Sequence, residues 1–219
     1  MVRVSRTQPN RTAATTAALI TAARGLFGSE GYGEVGTERI ARAAGLTRGA
    51  LYHQFNNKTE LFAAVLNQVE ADIAQRMTAA VAELDPSETA QLLMAGADAF
   101  LNACGEPDIQ RIVLIDGPSV LGWERWRTIC LHHSVGLITA ILSDGITRGT
   151  IEPQPIAPLT HLLVGAVDEA ALYIARAEDQ ISARAEIAVV LKRIADAIIN
   201  PHRATDPPQH QSLAANRSK

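Results

Sequence analysis

The segment from Val35 to Leu61, VGTERIARAAGLTRGALYHQFNNKTEL, constrains this chain most. It predicts two short helices around a tight turn, followed by the anchored start of a long one. Thr37 is placed to cap the first short helix; Ile40, Ala41 and Ala44 recur at helical spacing, and Gly45 ends the run. Leu46 turns inward and Thr47 caps a second helix, with Arg48, Gly49 and Ala50 as its first turn and Leu51 and Phe55 as its apolar side. Asn57 is the expected cap of the next helix, with Glu60 as its capping-box partner.

Helices this short are not stable alone. The flanks supply a scaffold: Leu19, Ile20, Ala23, Leu26 and Phe27 form an apolar stripe upstream, and Leu61, Phe62, Val65, Leu66, Val69 and Ile73 form one downstream. The expectation is a three-helix head carried on a longer fourth helix. In such an arrangement the N-terminal residues of the second short helix reach base edges in the major groove. Here these are Arg48, a bidentate donor for guanine, and the small Gly49 and Ala50. Tyr52, His53 and Gln54 offer further polar groups, and Lys58 at the start of the next helix suits a phosphate. Thr37 and Arg39 complete the candidate DNA-contacting set, with Thr37, Thr47, Tyr52 and Lys58 as positioning contacts.

The ordered set GTERIARAAGLTRGALYHQFNNKTEL, with its LYxxF and NK pairs, and the upstream LITAARGLFGSEGYGEVG resemble the N-terminal domain of the TetR family of transcriptional repressors, over roughly residues 12–66. The resemblance implies an all-α homodimer that binds a palindromic operator in double-stranded DNA and is released by a small-molecule effector in its C-terminal domain. It also implies that the last two helices form a four-helix interface with their copies in the partner.

Composition agrees with that expectation. A hydrophobic fraction of 47% over 219 residues fills a sizeable core, and only 4% aromatic content favours helices over sheets. The net charge of −3 conceals a division. Residues 1–60 hold eight Lys/Arg against four acids, whereas the remainder holds twelve against nineteen. The basic end is therefore directed to phosphate. Cys104 and Cys130 lack metal spacing and read as buried free thiols. With neither a long uncharged apolar stretch nor a signal-peptide core, the expectation is a cytoplasmic protein without a membrane segment.

About nine helices are expected: three in the head, then roughly 58–83, 87–104, a short one from Pro107 to near Gly117, 122–148, 157–177 and 182–199. The corresponding division is a mobile extension over 1–11, a helix-turn-helix domain over 12–57, a ligand-binding and dimerisation domain over 58–200, and a disordered tail over 201–219. Arg3, Arg6 and Arg11 in the extension suit either a solvated tail or an arm touching DNA. For dimerisation the candidates are Leu162, Gly165, Ala166, Glu169 and Ala170, with Leu191, Ile194 and Ile198 on the last helix; packing within their own domain is the alternative.

For the effector, polar or aromatic residues in apolar runs are the candidates: Asp116, Trp123, Trp126, His133, Asp168 and Tyr173. The tryptophans equally suit core anchors. His132 and His133 are adjacent, so they are expected on different faces and not on one metal, and no cofactor is expected. No GxSxG, HExxH, P-loop or paired-cysteine motif accompanies the histidines and acids, so an enzyme is not expected. Taken alone, the C-terminal half would also suit a helical small-molecule-binding protein without DNA function.

Overall fold

A computed structural model describes residues 8–199, with side chains from residue 12 onward, and every regular element in that range is helical. Helix α1 spans Gln8–Glu30, α2 Thr37–Ala43, α3 Arg48–Gln54, α4 Lys58–Ala82 and α5 Thr89–Cys104. Helix α6 is a composite of Pro107–Gln110, a π-helical segment Arg111–Asp116 and Gly117–Leu121. Helices α7 (Trp123–Arg148), α8 (Ile156–Arg176) and α9 (Gln180–Ile199) complete the body. The expected extension over 1–11 is shortened, because the α1 backbone is already helical at Gln8. Arg3, Arg6 and the tail from 201 lie outside the described residues.

The turn between α2 and α3 follows from its glycine. Gly45 has φ +68°, its N–H donates to Arg42 O, and Leu46 N–H donates to Ala41 O, which together close α2 as a Schellman motif. Thr47 caps α3 as expected, its hydroxyl accepting from Ala50 N–H at 3.2 Å. Asn57 caps α4 by accepting from Glu60 N–H at 2.9 Å. Two local expectations are corrected. Thr37 is the first helical residue and Gly36 the cap, since the Thr37 hydroxyl is engaged with Tyr52 instead. Glu60 does not reach back to complete a capping box, because Arg125 takes both of its carboxylate oxygens at 2.7 Å.

Helix α6 also differs from the short helix expected to stop near Gly117. Pro118 lies in the first turn of the final segment, where its missing N–H costs nothing, so the chain continues helically to Leu121. Gly117 is required there by packing. A Cβ would lie 2.6 Å from Trp126 Cδ1 and 3.1 Å from Ile112 O.

One apolar core runs from the head into the body. Phe27, Tyr32 and Phe62 make an aromatic cluster with ring centroids 5.3 to 5.6 Å apart where α1 meets α4. Leu66, Val69, Ile73 and Met77 carry the buried face of α4 into the body. By length and hydropathy α7 alone among the described helices could cross a bilayer. Its Trp126, Cys130, Ile141 and Leu142 are nevertheless buried, in a helix packed against α4, α5 and α8.

Candidate nucleic-acid interface and effector cavity

Helix α3 presents its first turn outward. Arg48, Gly49, Tyr52 and His53 are exposed, and Ala50 is half-buried. The Arg48 guanidinium lies over the Tyr52 ring at 5.4 Å, and the Tyr52 hydroxyl is 3.3 Å from Thr37 Oγ1. Those two partners, Thr37 first, hold the Tyr52 phenol below its ordinary pKa. Gly49 is informative because the fold does not need it. A Cβ there would meet only Thr47 Oγ1, at 3.9 Å, although glycine within a helix costs about 1 kcal/mol relative to alanine. No contact within the chain therefore requires residue 49 to be small.

The remaining candidates from the sequence are committed elsewhere. Arg39 makes a two-pronged pair with Glu30, and Gln54 Oε1 accepts from the Thr16 hydroxyl at 3.0 Å, tying α3 to α1. Thr47 is occupied as a cap. Lys58 turns inward: its Nζ donates to Tyr32 O at 2.8 Å and Val35 O at 3.0 Å and lies 4.0 Å from the Tyr32 ring centroid. An ammonium so placed closes the loop between α1 and α2. A side chain with three donors near its own loop carbonyls satisfies them first.

The structure also disperses the six effector candidates. Asp116 Oδ2 accepts from Tyr32 N–H at 2.8 Å, at the junction of head and body. Trp126 is buried and donates Nε1–H to Val113 O at 2.9 Å, whereas Trp123 is 64% exposed. His133 Nε2 meets Asn67 Oδ1 at 3.0 Å, and burial, then His132, hold its pKa below the ordinary value. The two histidine rings touch edge to face at 4.9 Å, closer than their adjacency on a helix suggested. Tyr173 is exposed on α8. Only Asp168 faces the cavity of the body.

That cavity lies among α4, α5, α7, α8 and α9 and encloses ≈ 680 Å³, counting the part that opens to solvent. Its wall is apolar, including Leu92, Phe100, Leu137, Val164 and Leu191, with Ser134 and Asp168 as its polar side chains. Asp168 is paired with Arg127; burial raises its carboxyl pKa against the pull of that guanidinium. Nearby on α4, Glu70 is 1% exposed. Its Oε1 accepts from the Cys130 thiol at 3.2 Å and Oε2 has no hydrogen-bond partner. Burial pushes the Glu70 carboxyl up to about 7. Cys104 and Cys130 are free, buried thiols driven upward in pKa by the same burial and by Glu70. Glu70 was missed in the sequence; the available signal was an acid between Leu66 and Ile73 on the apolar stripe of α4.

On the dimerisation candidates the helices divide. Leu162 (71% exposed), Glu169 and Tyr173 share one outward stripe of α8, with Gly165 and Ala166 half-buried beside it. On α9, Val190 and Ile194 are exposed and Ile198 half-buried at four-residue spacing. Ala170 and Leu191 belong to the protein's own interior, and Leu191 and Ile194 both reach the cavity.

Comparison with known proteins matches both parts. Residues 19–65 fit the family described as bacterial regulatory proteins, tetR family, and residues 90–198 fit the tetracyclin repressor-like C-terminal domain. The chain is 32% identical over 152 residues to the HTH-type transcriptional regulator CymR of Pseudomonas putida, covering 67% of this chain and 75% of CymR. It is 27% identical over 147 residues to the transposon Tn10 TetC protein of Escherichia coli, covering 67% and 73%. A TetR-family transcriptional regulator from Pectobacterium atrosepticum superposes with TM-score 0.76 at 30% identity, covering 89% of this chain and 98% of that one. Both parts of the chain thus match known regulators, and the chain belongs to the TetR family of transcriptional regulators.

Proposed function

We propose that the protein is a cytoplasmic homodimeric repressor that binds a palindromic operator through α3 and is released when a small molecule enters the C-terminal cavity. The observation that carries the DNA reading is the first turn of α3, where Arg48 is exposed beside a glycine that no internal contact requires. Arg48 reads a guanine edge, Gly49 and Ala50 let the helix backbone approach the groove, and His53 lies on the same exposed helix. Two copies related by a two-fold read both half-sites, and the exposed apolar stripes of α8 and α9 supply the surface for that pairing.

The coupling runs through α4 and α6. Met77 of α4 lines the cavity, and the same helix begins at Lys58, which holds the loop of the head. Asp116 of α6 holds the other side of the same loop. An effector that favours a spread arrangement of heads by about 1 to 3 kcal/mol changes operator affinity by roughly 5- to 150-fold. Mobility-shift titration of selected operator fragments tests the assignment. Arg48→Ala is expected to cost about 1 to 3 kcal/mol and to relax preference at one base position of each half-site. Unchanged affinity and unchanged preference would overturn the role of α3.

A further inference from the structure

We infer that the cavity selects an apolar molecule carrying a single protonated amine, seated with its ammonium toward Asp168 and its hydrocarbon body along the wall formed by Leu92, Leu137 and Val164. The inference rests on the reading of this cavity as the effector site and specifies the charge of its occupant.

The argument is one of unbalanced charge. Of the charged side chains near this end of the body, Asp168 lines the cavity, and its partner Arg127 does not. Behind them lies a second acid, Glu70, whose Oε1 receives only a thiol and whose Oε2 receives nothing. Glu70 feels both Asp168 and Arg127, so one guanidinium serves two carboxyls. Cys104 and Cys130, the other titratable groups of this cluster, are neutral thiols and add no positive charge. On α9, Arg184 is engaged with Asp98 and Asn102 of α5.

An anionic head entering the cavity would meet Asp168 first with Glu70 behind it. A neutral head would find Ser134 and the Asp168 oxygens as partners and leave the excess acid as it was. A cation relieves it, in a low-polarity site where opposite charges attract far more strongly than in water. Its hydrocarbon portion is matched by the wall, whose polar groups are confined to Ser134 and Asp168.

Three probes of one chain length isolate the charge: octylamine, 1-octanol and octanoate, titrated calorimetrically into the purified full-length protein at pH 7.5. Octylamine is expected to bind about tenfold or more tightly than 1-octanol, with octanoate weakest. Asp168→Asn, which removes the acid that lines the cavity and leaves Arg127 balanced by Glu70, is expected to abolish the preference for amine. Glu70→Gln, which removes the excess acid without exposing a buried cation, is expected to narrow the amine-to-alcohol ratio at least about threefold while 1-octanol binding stays the same. Should Asp168→Asn fail to fold, the Glu70→Gln ratio alone decides. If 1-octanol binds as tightly as octylamine, or octanoate binds more tightly, the charge inference is overturned while the cavity reading stands. If none of the three binds, the cavity reading itself falls with it.

Discussion

Glu70 gives the fold a pH dependence that can be worked out in advance. Its carboxyl sits at about 7 in the folded protein against an ordinary 4.5, because burial penalises the charged form more than the Cys130 thiol supports it. The folded state therefore holds a proton that the unfolded chain has already lost between those two values. Stability falls as pH rises through that window, by about 1.4 kcal/mol for each pH unit, or about 3 kcal/mol in all, and levels off above about 7. Replacing Glu70 by Gln keeps the shape and removes the titration. The variant is expected to match the native protein near pH 4.5 and to exceed its stability by about 3 kcal/mol at pH 8. Urea denaturation of both proteins at equal concentration, at half-unit steps from pH 4.5 to 8, measures the difference, in which titrating groups remote from Glu70 cancel. A difference that stays flat across this range, or that favours the native protein at high pH, would refute the assignment of Glu70 as a buried acid without adequate partners.

Lys58→Met is expected to destabilise the head by about 2 to 3 kcal/mol through loss of charge-assisted bonds to two carbonyls, while the salt slope of DNA binding changes little; a slope lowered by about one with stability intact would show that Lys58 serves phosphate instead. Gly117→Ala places a methyl against Trp126 and is expected to cost about 1 to 3 kcal/mol, seen in thermal melts together with altered Trp126 fluorescence. Leu162→Glu puts a charge on the outward stripe of α8 and is expected to convert dimer to monomer in sedimentation, with operator affinity falling more than head stability does.

The sequence disclosed those features whose chemistry is local. Thr47 and Asn57 act through backbone N–H groups three residues away, so type and spacing sufficed, and most helix ends fell within two residues of expectation. Pro118 misled because a proline that ends one helix is indistinguishable by type from one that begins the next segment. The cavity was opaque for a different reason. Its walls are ordinary leucines, valines and isoleucines contributed by five helices, whereas conspicuous residues such as Trp126 and Asp116 were already satisfied by Val113 and Tyr32. Lys58 was legible as a cation beside a helix start, but not the direction of its side chain, because the carbonyls that capture it lie some 25 residues earlier.

The joint at residue 32 uses the main chain on both sides: Asp116 takes the N–H and Lys58 takes the carbonyl of the same residue. The Tyr32 side chain adds to these two main-chain bonds through its ring, which packs on Phe27 and Phe62 and lies under Lys58, and through its hydroxyl, 3.0 Å from Thr59 Oγ1, so the joint of head and body is written at positions 32, 58 and 116 together. In a random mutagenesis screen for proteins that fold, bind operator and ignore effector, lesions should accumulate at those three positions, with proline at 32 the replacement that removes the N–H bond directly. A joint held at so few positions can be lost to a single base change far from both the operator and the effector.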